Sequence, residues 1–179
     1  MMIKKDLFLA TLSLDAYNQG YDKNIVHGQT QIGSATKISD SAILDTPSNT
    51  GVAQAASFYA VAYDVPGAAL VSQGNSPGDS IVISYRGTDD FSLFSPTSDI
   101  WSGWITAAGA LGPQARLAAE FYHSVKAANP GKHIILTGHS LGGGLASVGW
   151  ASARPTTASA TYQTTDTRFA TGRSGHAKP

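Results

Sequence analysis

Apolar positions fall into two kinds of run along this chain. Ile81-Val82-Ile83-Ser84-Tyr85 and Ile134-Ile135-Leu136 are nearly continuous, the pattern of strands buried on both faces in the middle of a sheet. Leu117, Phe121 and Val125 instead recur every four residues and predict a helix over residues 113–128 with one apolar face. Pro113 suits its first turn, and Asn129-Pro130-Gly131 ends it. At the start, Leu7, Leu9-Ala10, Leu12, Leu14 and Tyr17 predict a helix over residues 4–18, buried on much of its surface and stopping near Asn18-Gln19-Gly20. Residues 57–63 are rich in β formers and read as a strand, and Ala69-Leu70-Val71 as a short strand pairing back beyond the turn Asp64-Val65-Pro66-Gly67. Residues 20–56 are rich in Gly, Ser, Thr, Asn and Asp and read as an irregular stretch with short strands. Residues 141–152 read as a helix.

The resulting order from residue 81 onward is strand, loop, helix, strand, turn, helix. It predicts an α/β fold with a mostly parallel sheet, right-handed crossovers and flanking helices.

Composition narrows the class. The chain has 179 residues, a length suited to one domain that buries about 70% of its unfolded surface. Hydrophobic residues make up 42%, charged residues 13%, and the formal net charge is zero, which argues against a nucleic-acid surface. There are no cysteines, so a disulfide framework and a thiolate metal site are excluded, and no metal-ligand cluster stands out. The basic residues before the N-terminal apolar run invite comparison with a signal peptide, but the run is short, and Asp6 and Asp15 sit within or just after it. No run of 18 apolar residues exists, so no membrane span is expected.

The candidate chemistry sits where the second apolar run ends. Gly138-His139-Ser140-Leu141-Gly142 fits G-x-S-x-G between a strand and a helix, the setting of a nucleophile elbow. The glycines two residues either side of Ser140 remove Cβ atoms that would collide in so sharp a turn. Oγ is thereby exposed, and the Leu141 amide points where a tetrahedral oxyanion forms. The plain alternative is a glycine-rich turn packed tightly in an α/β core. Nucleotide binding fits poorly, because no Gly-Lys-Ser/Thr follows the glycines.

Gly138-His139-Ser140-Leu141-Gly142-Gly143-Gly144 resembles the serine motif of the class 3 lipases, which are α/β-hydrolases. Val82-Ile83-Ser84-Tyr85-Arg86-Gly87-Thr88-Asp89 resembles the strand and turn that carry the other half of the oxyanion hole in that family. The resemblance covers about residues 1–150. It implies Ser140 as catalytic nucleophile and Thr88, with Leu141, as oxyanion hole. The polar turn after Tyr85 has a plain reading too, with Arg86 paired to a nearby carboxylate. In a lipase the apolar residues of 91–112, such as Phe91, Phe94, Trp101 and Trp104, would form a lid or acyl-binding wall; equally, they would finish the core.

The base is the difficulty. An acyl-transfer serine needs a histidine to take its proton and an acid to orient it, in the order Ser, Asp or Glu, His. After Ser140 only Asp166 and His176 remain, 10 residues apart, too close for a crossover between them. His27 reads as a loop residue and His123 as a surface residue of its helix. His133 begins the strand that Ser140 ends, roughly 20 Å away, and His139 should point away across the turn. Three sources of the base stay open: His176 with Asp166, a partner chain, or none.

Residues 151–179 change character near Val148-Gly149-Trp150. Seven threonines crowd the segment, Arg154, Arg168, Arg173 and Lys178 face only Asp166, and apolar β formers nearly vanish. We therefore expect two parts: a hydrolase-like core over 1–150, truncated after the nucleophile-elbow helix, and an atypical polar tail over 151–179 that replaces the rest of the sheet through a shifted reading frame or truncation. A sheet cut short there leaves an open edge, from which a homo-oligomer or an unstable monomer is expected. The function expected is that of a carboxylic ester hydrolase, a lipase or esterase acting through an acyl-enzyme on Ser140, with a lipid or small ester as substrate and no cofactor. The rival is a lipase-like module that binds lipid or a partner without turnover.

Overall fold

The computed structural model describes residues 5–20, 30–72, 74–87, 112–152 and 160–162. The chain opens with helix α1 (Lys5–Asp15), which tightens into a 3-10 turn at Ala16–Asn18. Strands β1 (Gln31–Ile32) and β2 (Ala35–Asp40) follow, then the one-turn helix α2 (Val52–Ala55) and β3 (Ala60–Val65). After β4 (Ser80–Tyr85) come α3 (Gly112–Ala128), β5 (His133–Gly138), α4 (Leu141–Ser152) and β6 (Ala160–Tyr162).

The six strands of the described residues form one sheet in chain order. The pairs β1–β2, β2–β3 and β3–β4 are antiparallel, while β4–β5 and β5–β6 are parallel. The expectation of a mostly parallel sheet is corrected here. A parallel pair needs a connection that carries the chain back along the strand. Among the described residues between β3 and β4 the helical element is a 3-10 turn, Gly67–Leu70, too short to do so. The 17-residue α3 can, and β5 accordingly runs parallel to β4.

Alternation along β4 and β5 divides the core between the two sheet faces. Ile81, Ile83 and Tyr85 pack with Ile134 and Leu136 against Leu117, Phe121 and Val125 of α3 and Leu145 and Ala146 of α4. Val82 and Ile135 turn the other way, joining Val61 and Tyr63 under Phe8, Leu9 and Leu12 of α1. The fold is therefore α/β with helices on both faces of a mixed sheet. Among the described residues no helix is long and apolar enough to cross a membrane.

Four further expectations are revised. The helix α1 is buried on less of its surface than expected: Leu7 and Leu14 are 62% and 61% exposed, because α1 meets the sheet along one side only. Ala69-Leu70 belongs to the 3-10 turn rather than a strand. The Gly67 amide donates to Asp79 Oδ1 at 2.9 Å and the Ser76 hydroxyl donates to the Gly67 carbonyl at 2.7 Å, which pins the chain in a compact loop. β3 starts three residues late because the Phe58 amide is still bonded to the Ala53 carbonyl of α2, at 2.8 Å. The sheet does not end with β5: residues 160–162 pair in register, Ile134 opposite Ala160 and Leu136 opposite Tyr162. Three residues that include Thr161 and Tyr162, both β-forming types, suffice for a short strand beyond β5.

Candidate functional site

The parallel register sets Tyr85, the last residue of β4, opposite Gly138, the last of β5. The segments leaving the two strands, Arg86-Gly87 and His139-Ser140, are therefore neighbours. Loops at the carboxyl ends of adjacent parallel strands are where α/β proteins gather reactive groups.

Ser140 turns β5 into α4 with φ at +57°. That is the left-handed region, sparsely used by residues bearing a Cβ and costing of order 1–2 kcal/mol. It is exposed. The turn closes through the Gly142 amide onto the His139 carbonyl at 2.9 Å and the Gly143 amide onto the Ser140 carbonyl at 3.0 Å. Leu141 opens the helix, at the end where the first N–H groups lack intrahelical acceptors and the dipole favours negative charge.

The glycines of the motif are there for space. A Cβ on Gly138 would overlap the Gly142 carbonyl, and one on Gly142 would overlap the Tyr85 carbonyl oxygen. Farther along α4, a Cβ on Gly149 would meet Tyr85 Oη at 2.7 Å. These small residues let the α4 backbone settle onto the end of β4. Gly144 is different, with nothing within 4 Å of the position a Cβ would take.

The segment after α1 braces the same corner. The Gly87 amide donates to the Tyr17 hydroxyl at 3.0 Å. That hydroxyl lies 3.3 Å from His139 Nδ1 and 3.4 Å from the His139 carbonyl oxygen, and the two rings pack edge to face at 6.0 Å. A Cβ on Gly87 would meet Tyr17 Oη at 2.5 Å and the His139 carbonyl oxygen at 2.7 Å. One residue back, Arg86 is only 4% exposed. Its Nη1 donates to the Gln19 carbonyl at 3.3 Å, and its guanidinium lies 5.1 Å from the centre of the Tyr59 ring. Beneath the brace, buried Asp15 accepts from the Tyr63 hydroxyl at 2.6 Å and from Gln19 Nε2 at 3.0 Å. Lys37 joins Gln19 Oε1 at 3.3 Å to Asp40 at 2.8 Å.

Burial raises the Tyr59 hydroxyl above its ordinary pKa, with the Asp40 charge adding to the effect and Arg86 opposing it. Burial, the hydrogen bond to Asp15 and its charge raise Tyr63 likewise. Tyr85 is raised by burial, with Tyr122 adding to it, so the phenol stays protonated and donates to the Ala118 carbonyl at 3.1 Å.

Of the residues expected from sequence, Ser140 and Leu141 are brought together at this turn. Thr88, Asp166, His176 and His27 lie outside the described residues, as do residues 91–111 of the expected lid or wall. His133 begins β5, at the opposite end from Ser140. Burial lowers its pKa, and the charge of Lys5 adds to the effect. His123 is exposed on α3, its ring against Tyr122 at 5.4 Å. Tyr17 had no place in the sequence reading beyond helix packing; nothing local marks a contact spanning 122 residues. Among the described residues no group of three or more His, Asp or Glu side chains could hold a metal ion. An open groove of about 320 Å³, lined by Ser34, Thr36, Ile38, Asp64, Pro66 and Asp79, lies at the other end of β4 and does not adjoin the turn.

The sequence model of a family described as Mbeg1-like matches residues 34–164, well over half of the chain. The resemblance to class 3 lipases is corrected by this finding, since the matching family is a different one and no lipase family matches. The shared motif is short and lies within a longer pattern of another family. The match runs through β2 to β6 and past Trp150. No significant match was found among curated proteins or among solved structures.

Proposed function

The chain belongs to the Mbeg1-like family, and on that premise we propose that it is a serine hydrolase of carboxylic esters. The carrying observation is the exposed Ser140 held at φ +57° between β5 and α4. Ser57 is also exposed and left-handed, at φ +51°, but it lies in the loop before β3, whereas Ser140 sits at the carboxyl end of a parallel strand pair, where reactive groups gather. In this reading Oγ attacks the ester carbonyl carbon, and its proton passes to a histidine. The Leu141 amide holds the oxyanion. The Gly87 amide is committed to Tyr17, so the donor from the neighbouring turn is the next N–H, that of Thr88. Such a donor is worth about 3–4 kcal/mol in the transition state. The alcohol leaves with the proton, and water then hydrolyses the acyl-enzyme. His176 is the histidine that follows Ser140 in the chain, with Asp166 to orient it. Hydrolysis of 4-nitrophenyl butyrate by the full chain, with Ser140→Ala beside it, tests the reading. Turnover lost in the variant supports it, and equal rates in both overturn it.

The second reading is binding of a lipid or a partner without turnover. It is favoured by the positions of the described histidines: His133 begins β5, His123 faces outward on α3, and His139 packs against Tyr17. His176→Ala separates the two. Loss of turnover assigns the base, whereas an inert wild type leaves binding as the better account.

A further inference from the structure

The hydroxyl of Tyr17 touches both described segments that the proposed reaction needs. It accepts the amide of Gly87, at the end of β4, and meets the ring nitrogen and carbonyl of His139, beside Ser140. We infer that Tyr17 is a positioning residue for the proposed ester hydrolysis: it locks the strand end that leads to the Thr88 amide against the serine turn. This inference rests on the reading of Ser140 as nucleophile.

Three features support it. First, a phenol can accept one hydrogen bond and donate another at the same time. With the Gly87 N–H donating to it, the same oxygen also meets His139 at Nδ1 and at the carbonyl, so both segments are held by one atom. Second, the approach at Gly87 is tight. Gly87 has no room for a Cβ between Tyr17 Oη and the His139 carbonyl, so the three groups cannot slide past one another. Third, Tyr17 is itself fixed. The 3-10 turn that carries it runs into Gln19, whose carbonyl accepts from buried Arg86. It then reaches Gly20, at φ +71°, where a Cβ would overlap the Tyr59 ring. Two successive residues of the β4 end, Arg86 and Gly87, are thus tied to two residues of one turn, Gln19 and Tyr17. An oxyanion donor acts only when held within a fraction of an ångström of where charge develops. A brace on the residue before it is therefore felt in the transition state rather than in substrate binding.

Tyr17→Phe tests this, because it keeps the ring against His139 and removes only the oxygen. The full chain is assayed on 4-nitrophenyl butyrate together with Ser140→Ala and Ser76→Ala. Ser76→Ala serves as control: it removes a hydroxyl that donates to the Gly67 carbonyl at 2.7 Å, in the loop at the far end of β4 from the serine turn. For Tyr17→Phe the expected result is kcat reduced about 10- to 100-fold with KM within about twofold of wild type. Ser76→Ala is expected to melt earlier with kcat unchanged. If Ser140-dependent turnover is present and Tyr17→Phe keeps the wild-type kcat, or if both variants lose kcat in step with their stability, the positioning role is overturned while the hydrolase reading stands. If wild type and Ser140→Ala are equally inert, the hydrolase reading falls and the positioning role falls with it.

Discussion

Gly142 lies so close under the carbonyl of Tyr85 that a single methyl group would overlap its oxygen and come within 2.9 Å of its carbon. Helix α4 therefore touches β4 backbone to backbone at its first turn. The obstruction is main chain in the middle of a sheet, which has nowhere to move. Gly142→Ala should destabilise the fold by about 1–3 kcal/mol, the usual range for overpacking. Gly144→Ala, two residues on, meets nothing and should stabilise by roughly 0.5–1 kcal/mol through helix propensity alone. Urea unfolding of both variants checks the contrast; equal effects of the two would contradict it.

Strain at Ser140 gives a second prediction. Ser140→Gly relieves the left-handed backbone and should stabilise by about 0.5–1 kcal/mol, while Ser140→Ala keeps the Cβ and gains nothing. If the serine is kept for chemistry, stability and activity move in opposite directions in Ser140→Gly. Thermal melts of the two variants decide it, and a Gly variant no more stable than the Ala variant would count against strain at this turn.

The buried Asp15 carboxylate depends on donors. Tyr63 supplies a short one, at 2.6 Å. Tyr63→Phe leaves that carboxylate under-satisfied in the core and should cost about 1.5–3 kcal/mol, as for hydrogen bonds to charged groups. Chemical denaturation measures it. A loss below about 0.5 kcal/mol would show that other donors compensate.

Asp40 sets an acid limit. Burial pushes its carboxyl upward. The hydrogen bond and charge of Lys37, the Ala42 amide and the Tyr59 hydroxyl outweigh that, so its pKa lies below the ordinary 3.8. A carboxyl with a folded pKa below its unfolded value contributes stability above the unfolded pKa. That contribution is lost as pH falls from about 3.8 through the lowered folded value. Asp40→Asn should therefore be less stable than wild type at neutral pH, with the gap closing as pH falls below 3.8. Melting temperature against pH for the two proteins would show it; parallel curves would contradict the assignment.

The parts of this fold that were legible in sequence are those with a local cause. Leu117, Phe121 and Val125 write one helix face, and the apolar runs at 81 and 134 write two central strands. Gly138 and Gly142 around Ser140 announce a turn too tight for Cβ atoms, and the contacts at both glycines bear that out. What sequence did not carry was set by distant partners. The direction of β4 relative to β3 follows from what residues 66–79 fail to contain. Leu7 and Leu14 look like core residues until α1 is seen to meet the sheet along one side. Tyr17 has no local signature, since its hydroxyl is used by Gly87 and His139, 70 and 122 residues away. The family assignment failed for the opposite reason. A short serine motif was read as one family, while residues 34–164 as a whole match another.

Reaction of the intact chain with a fluorophosphonate ester probes the nucleophilicity of Ser140 itself. An activated serine displaces fluoride from phosphorus and forms a stable covalent adduct, so the readout does not depend on guessing the natural substrate. Peptide mass spectrometry should then find one phosphonyl group on Ser140 in the wild type and none in Ser140→Ala. Labelling of other residues to the same extent, or no adduct at Ser140, would contradict the claim that this serine is a nucleophile.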